Sequence, residues 1–185
     1  MSHFENLIEV KTGTQEIYDG VVVHLYKDTV SLPNSHPAVR EVIRHVGAVG
    51  VLPLTDDGKV IIERQFRYPL NRVITEIPAG KLDSFTEDRL SAAQRELEEE
   101  TGIRAAAEEF ELLLTVRDRN TFYDHYCLKR DVPLSEIVLQ PGETDGAQWA
   151  TFEQIHELIR EKQICDVIAQ QFLQQEPELR KRQFA

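Results

Sequence analysis

Over residues 7–32 apolar positions alternate with polar ones. LIEV and then EIYDGVVVHLYKDTVSL are rich in valine and carry Asp19-Gly20 as a turn dipeptide, which predicts an antiparallel N-terminal sheet. A break at LPNSHP precedes VREVIRHVGAVGVLPL, and TDDGK separates that run from VIIERQFRYPL. The two runs predict a hairpin of buried strands. A helix is expected over residues 86–101, opened by acidic residues and closed by Gly102 as its C-cap. FELLLTVRD and TFYDHYCLKR read as further strands, the latter a core strand carrying Phe122, Tyr123 and Tyr126. QPGETDG reads as a loop, a helix starts near Thr151, and a last helix covers about residues 164–175. Meandering strands with a few helices predict an α+β sandwich. The organisation expected is a strand arm over residues 1–40 and a main domain over 41–185.

Composition is that of an ordinary globular protein, with 41% hydrophobic and 29% charged residues. A formal net charge of -11 repels polyanions, so no nucleic-acid polymer is expected as a partner. The one basic cluster, Arg180, Lys181 and Arg182, reads as a helix end. A small phosphorylated ligand remains compatible if a divalent cation stands between carboxylates and phosphates. Cys127 and Cys165 lack CxxC spacing, which predicts reduced thiols and a cytoplasmic location. No run of about 18 apolar residues and no leader pattern predicts membrane insertion or export.

On a helical wheel Leu90, Ala93 and Leu97 form a core face. Glu100 lies about 40° to one side of Glu96 and Glu99 about 60° to the other, so three carboxylates share one patch. Ala92, one turn before Glu96, is small enough to leave room beside them. Like charges at this spacing cost stability, and a hard cation would offset that cost. Glu98, about 200° from Glu96, faces away.

The string GKLDSFTEDRLSAAQRELEEETGI resembles the Nudix box, the 24-residue signature of the Nudix hydrolases. The resemblance implies an α/β/α sandwich of mixed sheet and helices, and magnesium, with manganese as a substitute, held by Glu96, Glu99 and Glu100. It also implies that Arg95 pairs with acidic neighbours and that Gly80 starts the loop. Six residues separate Gly80 from Glu87, one more than the family pattern, and Glu87 is read as partner to Ser84 in a capping box.

YDGVVVHLYKDTVSLP, RQFRYPL and EIPAGKLD are similar to the ADP-ribose pyrophosphatase branch of that superfamily. In that branch N-terminal strands are exchanged in a homodimer. The likeness implies that the Ala79 carbonyl faces metal and that Arg67, Glu76 and Arg44 line the substrate cleft. It further implies an acidic loop residue acting as general base. Glu143 is the candidate, with Asp145 or Glu99 as alternatives, and Gly142 and Gly146 would let the loop move. ELLLTVRDRNTFYDHY lacks the proline common in ADP-ribose enzymes.

P-loop, dinucleotide and serine-hydrolase motifs are missing, and the six histidines lack metal spacing. The expected activity is hydrolysis of a nucleoside-diphosphate compound, ADP-ribose foremost, to AMP and ribose 5-phosphate. Another nucleotide substrate, or a non-catalytic nucleotide sensor, are the alternatives.

Overall fold

The computed structural model describes residues 7–118 and 121–183. Two compact units divide the chain, one ending at Val46 and joined by Thr121, the other beginning at Gly47.

In the first unit β1 (Val10–Asp19), β2 (His24–Ser31) and β3 (Pro37–Arg44) form an antiparallel sheet in that order. Gly20 N–H donates to the Val23 carbonyl at 2.9 Å and closes the first hairpin. Because β3 pairs residue by residue with β2, from Pro37 opposite Ser31 to Arg44 opposite His24, the unit runs past residue 40. Of its described residues only Asp28 and Val30 are buried.

The second unit holds β4 (Ala48–Leu54), β5 (Val60–Arg67), β6 (Arg72–Glu76), β7 (Ala79–Lys81), α1 (Arg89–Thr101), β8 (Glu111–Asp118), β9 (Thr121–Lys129, all but its first residue), β10 (Thr144–Ala150), α2 (Phe152–Arg160) and α3 (Asp166–Gln183). Its mixed sheet runs β10-β5-β4-β9-β8. Alternation along the strands sorts the two faces. Leu52, Leu54, Val60 and Ile62 pack with Phe152, Ile155, Phe172 and Leu179 of α2 and α3. The intervening positions Val49, Val51 and Ile61, equally buried, belong to the opposite face, and α1 packs on β4 and β7.

Three sequence expectations change. The hairpin of β4 and β5 is closed only at Leu54 opposite Val60. Beyond that point β4 turns to β9, in parallel, and to β7, while β5 turns to β6 and β10. The strands part because β6 and β7 each take one of the freed edges, and Ile77-Pro78 crosses the gap, with the Pro78 carbonyl accepting from Val51 N–H at 2.8 Å. Helix α1 starts at Arg89, since Asp88 caps it by accepting from Ser91 N–H at 2.8 Å. Helix α3 continues through Pro177 to Gln183, its turns beyond the proline anchored by the buried Leu179 and bridged by the Arg180–Glu176 and Arg182–Glu178 pairs.

Candidate active site

The parting of β4 and β5 fixes where the chemistry lies. Glu63 sits on the α1 face of β5, directly across from Glu76 on β6, and Ala79 and Gly80 follow at once on β7. From below, α1 brings Glu96 and Glu100, both buried. Four carboxylates therefore lie within electrostatic reach of one another where the sheet divides.

Their placement is tied to the backbone. Glu100 Oε2 accepts from Ala79 N–H at 2.7 Å. Gly80 lies so close to Glu96 that a Cβ there would run into the carboxylate. Arg95 Nη1 donates to Glu96 at 2.7 Å and to Glu99 at 3.4 Å, and Arg95 Nη2 donates to Glu87 at 3.3 Å and to the Lys81 carbonyl at 3.3 Å. Arg67 Nε donates to Glu76 Oε2 at 2.7 Å.

Electrostatics follow from this crowding. Burial first, then the charges of Glu63, Glu96 and Glu76, push the Glu100 carboxyl well above its ordinary range against the pull of Ala79 N–H. Glu63 is pushed up by burial and by Glu76, and is eased by its hydrogen bond with Glu100 and by Arg67. Glu96 is raised by burial, opposed by the Arg95 hydrogen bond and charge.

Several sequence-predicted residues lie apart from this group or are held differently. Glu99 is half exposed and, among the described residues, pairs with Arg95. Glu87 forms no capping box with Ser84: its carboxylate accepts from Asp83 N–H and pairs with Arg95. A turn in which Glu87 N–H donates to the Ser84 carbonyl at 3.4 Å takes up the longer loop. Ala92 is fully buried, so it is packing and leaves no opening beside the carboxylates. Gly102 caps α1 at φ 72°, its N–H on the Glu98 carbonyl. Arg44 is held within the N-terminal unit, its guanidinium 3.9 Å from the Tyr26 ring centre and 2.8 Å from Asp28 Oδ2.

The QPGETDG loop is shorter than expected, since β10 begins at Thr144. Glu143 is exposed, and its Oε2 accepts from Gln65 Nε2 at 3.4 Å. Asp145 pairs with Arg64 at 3.2 Å. Gly146 is a strand residue with Arg64 laid against it, which corrects its reading as a hinge, whereas Gly142 has φ 88° and open space around it. Phe122, expected in the core, is 44% exposed, while Tyr126 is buried edge-on to Phe110.

Glu63 and Gln65 are the residues that the sequence reading missed. Both share a face of β5 with Arg67, two positions apart each time, and that alternation was the available signal.

Among the described residues no three His, Cys, Asp or Glu side chains already converge as metal ligands. The donor set nevertheless fits a hard divalent cation: it consists of carboxylates, Glu63 Oε2 is buried without a hydrogen-bond partner, and the cradle at Gly80 is filled by Glu96.

The NUDIX domain family model matches residues 44–170. The chain belongs to the Nudix family. An ADP-ribose pyrophosphatase of Bacillus subtilis (strain 168) is 48% identical over 101 residues, 55% of this chain and 54% of that protein, so the match spans about half of that relative. A methanol dehydrogenase activator of Bacillus methanolicus is 38% identical over 177 residues, 91% of this chain and 94% of that protein. The Nudix fold is also seen in the crystal structure of an ADP compounds hydrolase, with TM-score 0.73, 16% identity and 95% of each chain covered.

Proposed function

We propose that this Nudix hydrolase cleaves the pyrophosphate of ADP-ribose, releasing AMP and ribose 5-phosphate. The observation that carries the reading is the buried group of Glu76, Glu96 and Glu100 set against Ala79 and Gly80 where the sheet divides. The pyrophosphatase likeness supports the substrate.

Glu96 and Glu100, with the Ala79 carbonyl and the outlying Glu99, would hold magnesium, or manganese in its place. When bound, such an ion supplies positive charge to the diphosphate oxygens and acidifies water. Arg95 keeps Glu96 in place through its hydrogen bond. Arg67, fixed by Glu76, presents a guanidinium suited to a phosphate oxygen. Water adds to phosphorus, the P–O bond breaks, and Glu143 takes the proton that the water gives up, with Glu99 as the second candidate. Gly142 gives the Glu143 loop its freedom to move.

The protein acts as a homodimer built through its N-terminal sheet. Ile17, Tyr18, Val39 and Ile43 of that sheet are all about half exposed, apolar surface that a second copy would cover. Two free cysteines support a cytoplasmic setting, and among the described residues no helix is long and apolar enough to cross a membrane.

A panel of ADP-ribose, dinucleotide coenzymes and nucleoside triphosphates with magnesium, reading released phosphomonoesters, tests the substrate. A higher kcat/KM for a triphosphate than for ADP-ribose overturns it. The relative that aligns over most of its length is named for activating a dehydrogenase, which favours a partner protein as the second reading. No turnover of any compound in the panel would favour that one.

A further inference from the structure

Strand β5 carries a carboxylate with no structural reason to be where it is. Glu63 follows Val60, Ile61 and Ile62 in a strand buried on both faces, and it is only 2% exposed. A glutamate in that position costs several kcal/mol unless it is neutralised or paired. The guanidinium groups nearby are engaged elsewhere: Arg67 is bound to Glu76, and Arg95 to Glu96 and Glu87. Glu76 stands directly across from Glu63 in the strand register and adds negative charge rather than removing it.

Glu63 also touches Glu100 of α1 within hydrogen-bonding reach. Two carboxyl groups satisfy each other only by sharing a proton, and one such bond uses a single oxygen of Glu63. Ala79 N–H serves Glu100 Oε2, yet among the described residues no donor reaches Glu63 Oε2. A buried carboxylate oxygen left without a donor is suited to a positive centre. Magnesium-type cations take carboxylate oxygens together with water, and each further carboxylate raises the affinity of the site.

We propose that Glu63 is a ligand of the divalent cation, sharing the ion with Glu100 and extending the site from α1 across to β5. The carboxylates then come from two elements, so the ion ties the helix to the strand that carries Arg67 and Gln65. This inference rests on the divalent-cation reading of the site given above.

The test is manganese binding to the full-length protein, followed by calorimetry and by the electron paramagnetic resonance of the free ion. Wild type, Glu63→Gln and Glu100→Gln are titrated in parallel at pH 7.5, and thermal melting without metal is measured on each. Glu63→Gln is expected to bind manganese at least ~10-fold more weakly, in line with the weakening known for disturbed metal sites. Its metal-free melting temperature should equal or exceed that of wild type, because a buried ionisable group is gone. Wild-type manganese affinity in Glu63→Gln, with affinity lost in Glu100→Gln, overturns the role of Glu63 while leaving the metal site standing. No manganese binding by wild type overturns the metal reading itself and this inference with it. Should Glu63→Gln fail to fold, the same titration of Glu63→Met decides, with the same two outcomes.

Discussion

Gly80 and Glu96 occupy one another's space: the carboxylate of Glu96 fills the volume in which a side chain at residue 80 would start. Gly80→Ala must therefore displace Glu96, whose flexible end can yield without unfolding the chain. Stability should fall by only about 1 kcal/mol, whereas a misplaced catalytic group can cost ~100-fold in rate. We expect kcat to drop by roughly that factor with the melting temperature nearly kept. A variant with wild-type kcat would separate Glu96 from the reaction.

Glu100→Gln should divide stability from activity. Burial and the charges of Glu63, Glu96 and Glu76 raise its carboxyl, so at neutral pH the ionised form costs the folded state free energy that glutamine does not. Metal-free protein should melt at the same temperature or higher, and kcat with magnesium should fall by ~100-fold or more. An active variant, or full wild-type activity in excess chelator, contradicts the proposed site.

The apolar periodicity made the elements legible, and the box made Glu96 and Glu100 legible, because both signals are local in the chain. What escaped depends on contacts between distant segments. Glu63 looked like an ordinary strand residue until Glu76 and Glu100 were placed beside it. The parting of β4 from β5 depends on β6 and β7 taking their edges, which no local pattern encodes. The expected capping box of Ser84 and Glu87 does not form because the Glu87 carboxylate is taken by Asp83 N–H and Arg95, and Asp88 caps the helix instead. The last helix is expected to end near residue 175, yet α3 runs past Pro177 to Gln183, with Leu179 packed in the core beyond the proline.

Glu143 and Asp145 should differ in effect although both are exposed acids two residues apart. Asp145 is paired with Arg64, whereas Glu143 faces Gln65 on the strand face that also carries Glu63 and Arg67. Glu143→Gln is expected to lower kcat at least ~100-fold with little change in KM, the usual size of a general-base effect. Asp145→Asn should stay within about 2-fold of wild type, as exposed ion pairs contribute little. The reverse ranking would move the base to Asp145, and a comparable loss only in Glu99→Gln would move it to α1.

The last prediction concerns His125, buried on β9 with both ring nitrogens unpartnered beside a cavity of about 10 Å³ that Gln171 and Gln175 of α3 also line. Burial lowers its pKa to about 4, against a small opposing pull from Asp124. In the unfolded chain the imidazole titrates at about 6.5. Between those two values the unfolded state binds the extra proton, so stability is complete above pH 6.5 and is lost as pH falls towards 4. The loss attributable to this one group is on the order of 3 kcal/mol. The buried carboxylates Glu63 and Glu100 have raised values and act in the opposite direction, gaining stability on acidification. Total stability against pH therefore mixes both signs, and the variant difference isolates the histidine. His125→Gln keeps a neutral polar group in the same space beside Gln171 and Gln175. Urea unfolding of both proteins at pH 7.5 and pH 5.0 should show wild type losing more stability on acidification than His125→Gln, by about 1–2 kcal/mol over that interval. Equal losses in the two proteins would mean that His125 takes up its proton in the folded state.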